Sequence, residues 1–285
     1  MEKIRIITDS GSDLRDCTRP DVTVLPLTIT FGQDSYRDGV DLQPSEFYEK
    51  LIESDKLPTT SLISPAVFEE AFRAAAEADE KVLVITLSGK LSGTYQSAVI
   101  AAADYADRVW VVDSCNVTLG EQILVRYAME LVDRGMAPED IAHALETAKG
   151  KIHIIGLLDT LEYLRKGGRI PKAAAMLGDM LAIKPVVTVS GGEVVLLGKA
   201  RGSRNGNNYL IKEIEKANGI DFSMPFGLGY TGLNDATLQK YIQDSKAIWA
   251  SFTDALPICP VGATIGTHVG PNAIVVAFFD RNFKA

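Results

Sequence analysis

Histidine and cysteine are scarce in this chain, three of each in 285 residues. Metal sites and disulfide frameworks need such residues at close, regular spacing. Cys17, Cys115 and Cys259 are scattered, so they are expected as small core residues rather than ligands, redox pairs or staples. Basic residues are outnumbered, 29 Lys and Arg against 37 Asp and Glu, which leaves a net charge of −8. That balance argues against a general nucleic-acid binder, which neutralises phosphates with Lys and Arg. No run of roughly 18 apolar residues occurs, so no membrane-spanning helix is expected, and at most transient membrane contact. Met1-Glu2-Lys3-Ile4-Arg5 lacks the charged end, long apolar stretch and cleavage site of a signal peptide, and a cytoplasmic location is expected. Walker loops, kinase signatures, metal clusters, internal repeats and low-complexity linkers are missing too.

What is present is a core. With 46% hydrophobic residues, the chain can fill two packed domains. The stretch Lys81–Ala98 organises the first: Val82-Leu83-Val84-Ile85 is continuously apolar, as suits a parallel strand covered on both faces. It breaks at Ser88-Gly89-Lys90-Leu91-Ser92-Gly93, and a helix is expected from Thr94 to Ala106. A strand that ends in a Ser/Gly loop and restarts as a helix offers hydroxyls and free N–H groups to an anion, although on this stretch alone Ser92 as a simple helix cap is the better reading.

Other strands are expected at Lys3–Thr8, Val22–Phe31 and Arg108–Asp113, with helices at Pro44–Ile52, from Ser64-Pro65 through Ala75, and at Leu119–Arg134 and Pro138–Ala148. Strands alternating with helices predict a parallel sheet in an α/β/α three-layer domain over 1–150. Ligands in such sheets bind beyond the strands' carboxyl ends, where the hydroxyl-rich loops Thr8–Leu14, Leu57–Pro65 and Ser88–Gly93 can converge. From Lys151 a mixed-sheet, two-layer α+β domain is predicted over 151–285. Its strands are expected at Ile152–Leu158, Lys184–Val189, Glu193–Lys199, Phe226–Tyr230, Ala247–Phe252, Ala263–His268 and Ala273–Phe279, with short helices at Thr160–Arg165 and Pro171–Leu181. Gly191-Gly192 marks a hairpin. Residues 149–212 carry 11 Lys and Arg against 4 Asp and Glu, a basic segment that reads either as a solvated face or as a docking surface for an acidic partner.

Gly227-Leu228-Gly229-Tyr230-Thr231-Gly232 matches G-x-G-x-x-G, but its glycines overlap the strand that should precede them, so the match is read as coincidence. Ser92, His268 and Asp9 could form a Ser-His-Asp set, which geometry alone can establish. A Ser/His hydrolase or transferase using Ser92 and His268 is the alternative to a binding protein, and a regulatory protein is a third reading.

Several segments in order resemble the DegV family, the bacterial fatty-acid-binding proteins also called FakB. They are Thr8-Asp9-Ser10 with Ser12-Asp13-Leu14, Thr60-Ser61 with Ser64-Pro65, Leu91–Ala98, Leu161–Ala173, Ile183-Lys184-Pro185, and Gly266–Pro271. The resemblance implies a two-domain fold with a long-chain fatty acid between the domains. It implies that Thr60 and Ser92 hydrogen-bond the carboxylate, with Ser61, Gly93 and Thr94 alongside and His268 near the head group through water. It further implies a non-catalytic carrier without cofactor or metal, whose bound acid is phosphorylated by an ATP-dependent fatty acid kinase for phospholipid synthesis. Arg165, Lys166, Arg169 and Arg201 are the implied docking residues. The chain departs from the family at Leu62-Ile63, where Gln-Pro is usual, and at Arg201–Asn208, which is less basic than usual.

Overall fold

The computed structural model describes residues 2–171 and 183–283. The helix expected over Pro171–Leu181 lies, beyond Pro171, outside the described residues. The chain runs through β1 (Ile4–Asp9), β2 (Val22–Leu25), β3 (Thr28–Phe31), β4 (Asp34–Arg37), α1 (Pro44–Glu53), β5 (Thr59–Ser61), α2 (Pro65–Glu77) and β6 (Lys81–Thr86). It continues through α3 (Thr94–Ala102), β7 (Val109–Asp113), α4 (Leu119–Asp133), α5 (Pro138–Ala148), β8 (Ile152–Leu157) and α6 (Glu162–Lys166). The remaining elements are β9 (Ile183–Ser190), β10 (Glu193–Arg201), α7 (Gly202–Lys216), β11 (Gly227–Tyr230), α8 (Ala236–Asp244), α9 (Lys246–Trp249), β12 (Ile258–Pro260), α10 (Ala263–Val269) and β13 (Ile274–Phe279).

Strands β2-β1-β6-β7 form a parallel sheet. Ile7, Val82 and Val84 face Phe68 and Phe72 of α2, while Ile6, Leu83 and Ile85 share a core with α4 and α5. Burial on both faces is why these strands are continuously apolar. The second sheet, in the order β10-β9-β8-β13-β11-β12, is mixed: β11 and β12 are parallel, and the other pairs are antiparallel. One of its faces packs on α7 and α8, and the other on α4. Helix α4 thus lies between the two sheets, and only Arg126, Glu130, Val132 and Asp133 escape burial. Its buried Glu121 accepts from Thr8 Oγ1 at 3.0 Å, and its buried Gln122 donates to the Asp13 carbonyl at 2.7 Å.

Four expectations are corrected. The continuous strand Val22–Phe31 is two strands: Pro26 has no N–H for a ladder, and Leu27 N donates instead to Ser10 Oγ at 3.0 Å. Its second half pairs with β4 and β5 in a small antiparallel sheet, so the hydroxyls of Thr59–Ser61 sit on a strand and not in a loop. Ala247–Phe252 is no strand; α9 places Trp249 in an aromatic cluster with Phe222, Phe226 and Tyr241, and its indole N–H donates to Ser245 Oγ at 2.9 Å. Ala263–His268 is helix α10, although its threonines, isoleucine and valine favour strand. Distant groups decide the matter: Asp13 Oδ1 accepts from Gly262 N at 2.7 Å, and Asp38 Oδ2 accepts from Thr264 N at 3.0 Å. Helices α7 and α8 and strand β12 also lie where sequence patterning marked none.

Candidate functional site

Between the sheets lies a cavity of about 350 Å³. Thr60, Ser61 and Leu62 reach it from β5 and its end; Leu91, Ser92 and Gly93 from the loop after β6; Leu164 and Arg169 from α6 and the turn beyond; His268 from α10. Val117, Leu164, Val194, Ile265 and Val269 also line an inner chamber of about 70 Å³, so the two spaces are contiguous. The inner chamber is apolar in chemistry despite three threonines. Thr118 donates its hydroxyl to Asp13 Oδ2 at 2.6 Å, Thr188 to the Ile154 carbonyl at 2.7 Å, and Thr231 accepts from Ala273 N at 2.7 Å. The site is therefore apolar at one end and polar at the other.

At the polar end Thr60 Oγ1 is 2.9 Å from His268 Nε2. Ser92 Oγ lies 2.9 Å from Thr94 Oγ1 and accepts from Thr94 N at 3.3 Å. Thr94 is fully buried and also accepts from Ile63 N at 3.4 Å, so it holds the loop while Ser92 faces the cavity. A Cβ on Gly93 would come within 2.9 Å of Leu62 Cδ2, which places the half-exposed Leu62 over this glycine at the cavity rim. Arg169 supplies the positive charge: its Nε donates to the Leu91 carbonyl at 3.2 Å and another guanidinium N–H to the Gly167 carbonyl. Burial, then the neighbouring Arg169, push His268 down to about 4, so the imidazole is neutral at pH 7. Its Nδ1 is buried with no hydrogen-bond partner among the described residues and lies so close to Gly167 that a Cβ there would clash with it.

The Ser92–His268–Asp9 set does not assemble. His268 bonds Thr60 and Ser92 bonds Thr94, while Asp9 accepts from Gly11 N at 2.9 Å and Leu87 N at 2.8 Å. Asp9 ties the loop after β1 to the loop after β6, and burial raises its pKa to about 7. A second buried network fixes α10. Thr264 donates its hydroxyl to Asp38 Oδ2 at 2.6 Å, and Arg15 spans Asp38 at 2.9 Å and Asp13 at 3.5 Å. Two segments far from α10 in sequence, one with Asp13 and Arg15 and one with Asp38, thereby hold the helix that carries His268.

A family model described as "Uncharacterised protein, DegV family" matches residues 3–281. The chain belongs to the DegV family. A DegV domain-containing protein of Caldanaerobacter subterraneus is 36% identical, with 99% of this chain and 100% of that protein aligned. One from Deinococcus radiodurans is 35% identical over 96% of this chain and 97% of its own. Among solved structures, a DegV family protein from Thermus thermophilus described by its fatty acid binding aligns with a TM-score of 0.87 at 33% identity, covering 97% of this chain and 99% of that one. The Fatty Acid Kinase (Fak) B3 protein of Streptococcus pneumoniae, loaded with linoleic acid, aligns with a TM-score of 0.84 at 25% identity, covering 98% and 99%.

Within this DegV fold Thr60, Ser61, Ser92, Gly93 and His268 line one cavity, and Thr94 stands behind Ser92. The four basic residues read as docking positions do not stay together. Arg165, Lys166 and Arg201 are exposed, Lys166 pairing with Glu162 at 2.6 Å, whereas Arg169 turns inward to the cavity. Its spacing in Arg165-Lys166-Gly167-Gly168-Arg169 gave no sign of that; the reversal at Gly168, φ +72°, turns it back. Asp38, Thr264 and Val194 also shape the site without a motif to mark them. The G-x-G-x-x-G match is structural: a Cβ on Gly229 would meet Val275, Leu119 and Val261 at 2.9–3.1 Å, so glycine lets α4 approach β11.

Proposed function

We propose that this DegV-family protein is a non-catalytic carrier that buries a long-chain fatty acid between its sheets. It presents the carboxylate to an ATP-dependent fatty acid kinase in the cytoplasm, for acyl-phosphate formation. The observation that carries the reading is the continuity of an apolar chamber with a pocket of hydroxyls, imidazole and guanidinium. A buried carboxylate requires several donors to offset lost hydration, and an acyl chain requires an apolar enclosure. Thr60 and Ser92 donate to the carboxylate, with Ser61, the Gly93–Thr94 backbone and His268 around it and Arg169 as counter-charge. Fatty acid binding by the Thermus thermophilus relative, and linoleic acid in the Fak B3 protein, support the same ligand class. Arg165, Lys166 and Arg201 are proposed to meet the kinase.

Calorimetric titration with palmitate tests the carrier reading. We expect near one-to-one binding, weakened in Thr60→Ala and Ser92→Ala by about 5- to 150-fold, since each removes one donor worth about 1–3 kcal/mol. Unchanged affinity in both variants would falsify the assigned site. Adding a fatty acid kinase and ATP to the loaded protein should then yield acyl phosphate, and the carrier alone should not hydrolyse acyl esters.

A further inference from the structure

A hydroxyl both donates and accepts, so what a ligand meets at Thr60 and Ser92 depends on where their protons point. At Ser92 the direction is set by Thr94. The Thr94 side chain is fully buried, and among the described residues its Oγ1 reaches two groups, Ile63 N at 3.4 Å and Ser92 Oγ at 2.9 Å. Ile63 N can only donate, so Ser92 Oγ is the acceptor left for the Thr94 proton. A buried O–H without an acceptor bears its full desolvation cost, and Thr94 therefore donates to Ser92. Ser92 Oγ also accepts from Thr94 N at 3.3 Å. Both of its acceptor positions are then filled, and Ser92 has only its own O–H to offer the cavity that it lines.

His268 acts in the same way on Thr60. The neutral ring carries one proton, on Nδ1 or on Nε2. Nδ1 is buried without a partner among the described residues and lies against Gly167, whose carbonyl holds the Arg169 guanidinium. An N–H there would be orphaned beside a positive charge, and a lone pair is the less costly occupant. The proton then sits on Nε2, which donates to Thr60 Oγ1 at 2.9 Å and leaves the Thr60 O–H to the cavity. We infer that Thr94 and the Nε2–H form of His268 are positioning groups that make Ser92 and Thr60 a pair of proton donors, so that the site selects ionised carboxylates over head groups that must themselves donate, such as primary amides; the inference rests on the fatty-acid reading above. A carboxylate only accepts, and two O–H groups match it without rearrangement. The NH₂ of an amide of the same shape finds no free lone pair on Ser92.

The test measures displacement of the fluorescent fatty acid cis-parinarate by palmitate and by palmitamide at pH 8. Thr94→Val, close to threonine in shape, removes the proton aimed at Ser92 and frees a lone pair there. Palmitate is expected to weaken about fivefold while palmitamide stays within about twofold or tightens, and Thr94→Ser should keep the wild-type preference. A purely structural role for Thr94 would weaken both ligands alike. The proton on His268 is read without any variant: ¹⁵N resonances of the ligand-free protein at pH 7.5 should be pyrrole-type at Nε2 and pyridine-type at Nδ1. The inference is overturned if Thr94→Val leaves the ratio of the two affinities unchanged, or if Nδ1 carries the proton. If the wild type binds neither parinarate nor palmitate, the fatty-acid reading falls and this selectivity with it.

Discussion

At the scale of single residues, two buried titratable groups shape how the protein responds to pH, with opposite sign. His268, held at about 4, binds fewer protons folded than unfolded between about pH 4 and its ordinary 6.5. Its contribution to stability is complete above 6.5 and is lost as pH falls through that window. A bound carboxylate beside it favours the charged ring, so palmitate should move the His268 titration upward, as followed by the imidazole resonances. A titration that stays put would separate His268 from the head group. Glu121 goes the other way. Burial first, then the charge of Asp9, raise its pKa well above 4.5; Oε1 accepts from Thr8 at 3.0 Å and Oε2 has no partner among the described residues. Its contribution is present below the ordinary carboxylate range and is lost as pH rises. Glu121→Gln, near in shape and uncharged, should therefore gain stability over wild type by up to about 1.4 kcal/mol per pH unit on going upward from pH 5. Denaturant melts at pH 5 and pH 8 measure this, and an equal difference at both would count against it.

Helix α10 is the element on which the site depends, and it is the element whose own residues describe it least well. Thr264, Ile265, Thr267 and Val269 favour a strand, yet Asp13 and Asp38 accept the amides of its first turn, and Thr267 returns a hydroxyl to the Ala263 carbonyl at 2.8 Å. Asp38→Ala leaves the Ala263 and Thr264 amides without their acceptor and the Arg15 guanidinium with Asp13 alone. The expected loss is about 3–5 kcal/mol of stability, with palmitate affinity falling as His268 shifts. A Tm and a binding constant near wild type would show that α10 stands without this anchor. The helices with ordinary amphipathic stripes match their sequences: α5 spans Pro138–Ala148 as the pattern indicates, and Phe68, Phe72 and Ala75 of α2 face the core. Such periodicity is a local signal, whereas the capping of α10 comes from residues more than 200 positions away.

Across the whole molecule, the two sheets enclose a space that neither could close alone. The parallel sheet's loops supply Ser92 and Leu91, the small sheet supplies Thr60, and the mixed sheet supplies Val187, Val194 and Gly156. On the carrier reading, the depth of the inner chamber limits the acyl chain bound. Val187→Phe adds volume at a residue that lines only this deeper part, so palmitate should lose affinity more than decanoate, at a stability cost of about 1–3 kcal/mol for overpacking. Equal losses for both acids would place the chain elsewhere.

The sequence by itself determined the family, the α/β class and most strands of both sheets, because continuous apolar runs and short motifs are contiguous in the chain. It also marked Thr60, Ser92 and His268, each within a recognisable segment. Tertiary structure alone decided that these three share one cavity, that Arg169 faces inward, and that Asp9 holds two loops together. It also decided that α4 is buried between sheets and that α10 is a helix. Each of these follows from contacts between residues far apart in sequence, where burial and hydrogen-bond geometry override the local preferences that a sequence displays.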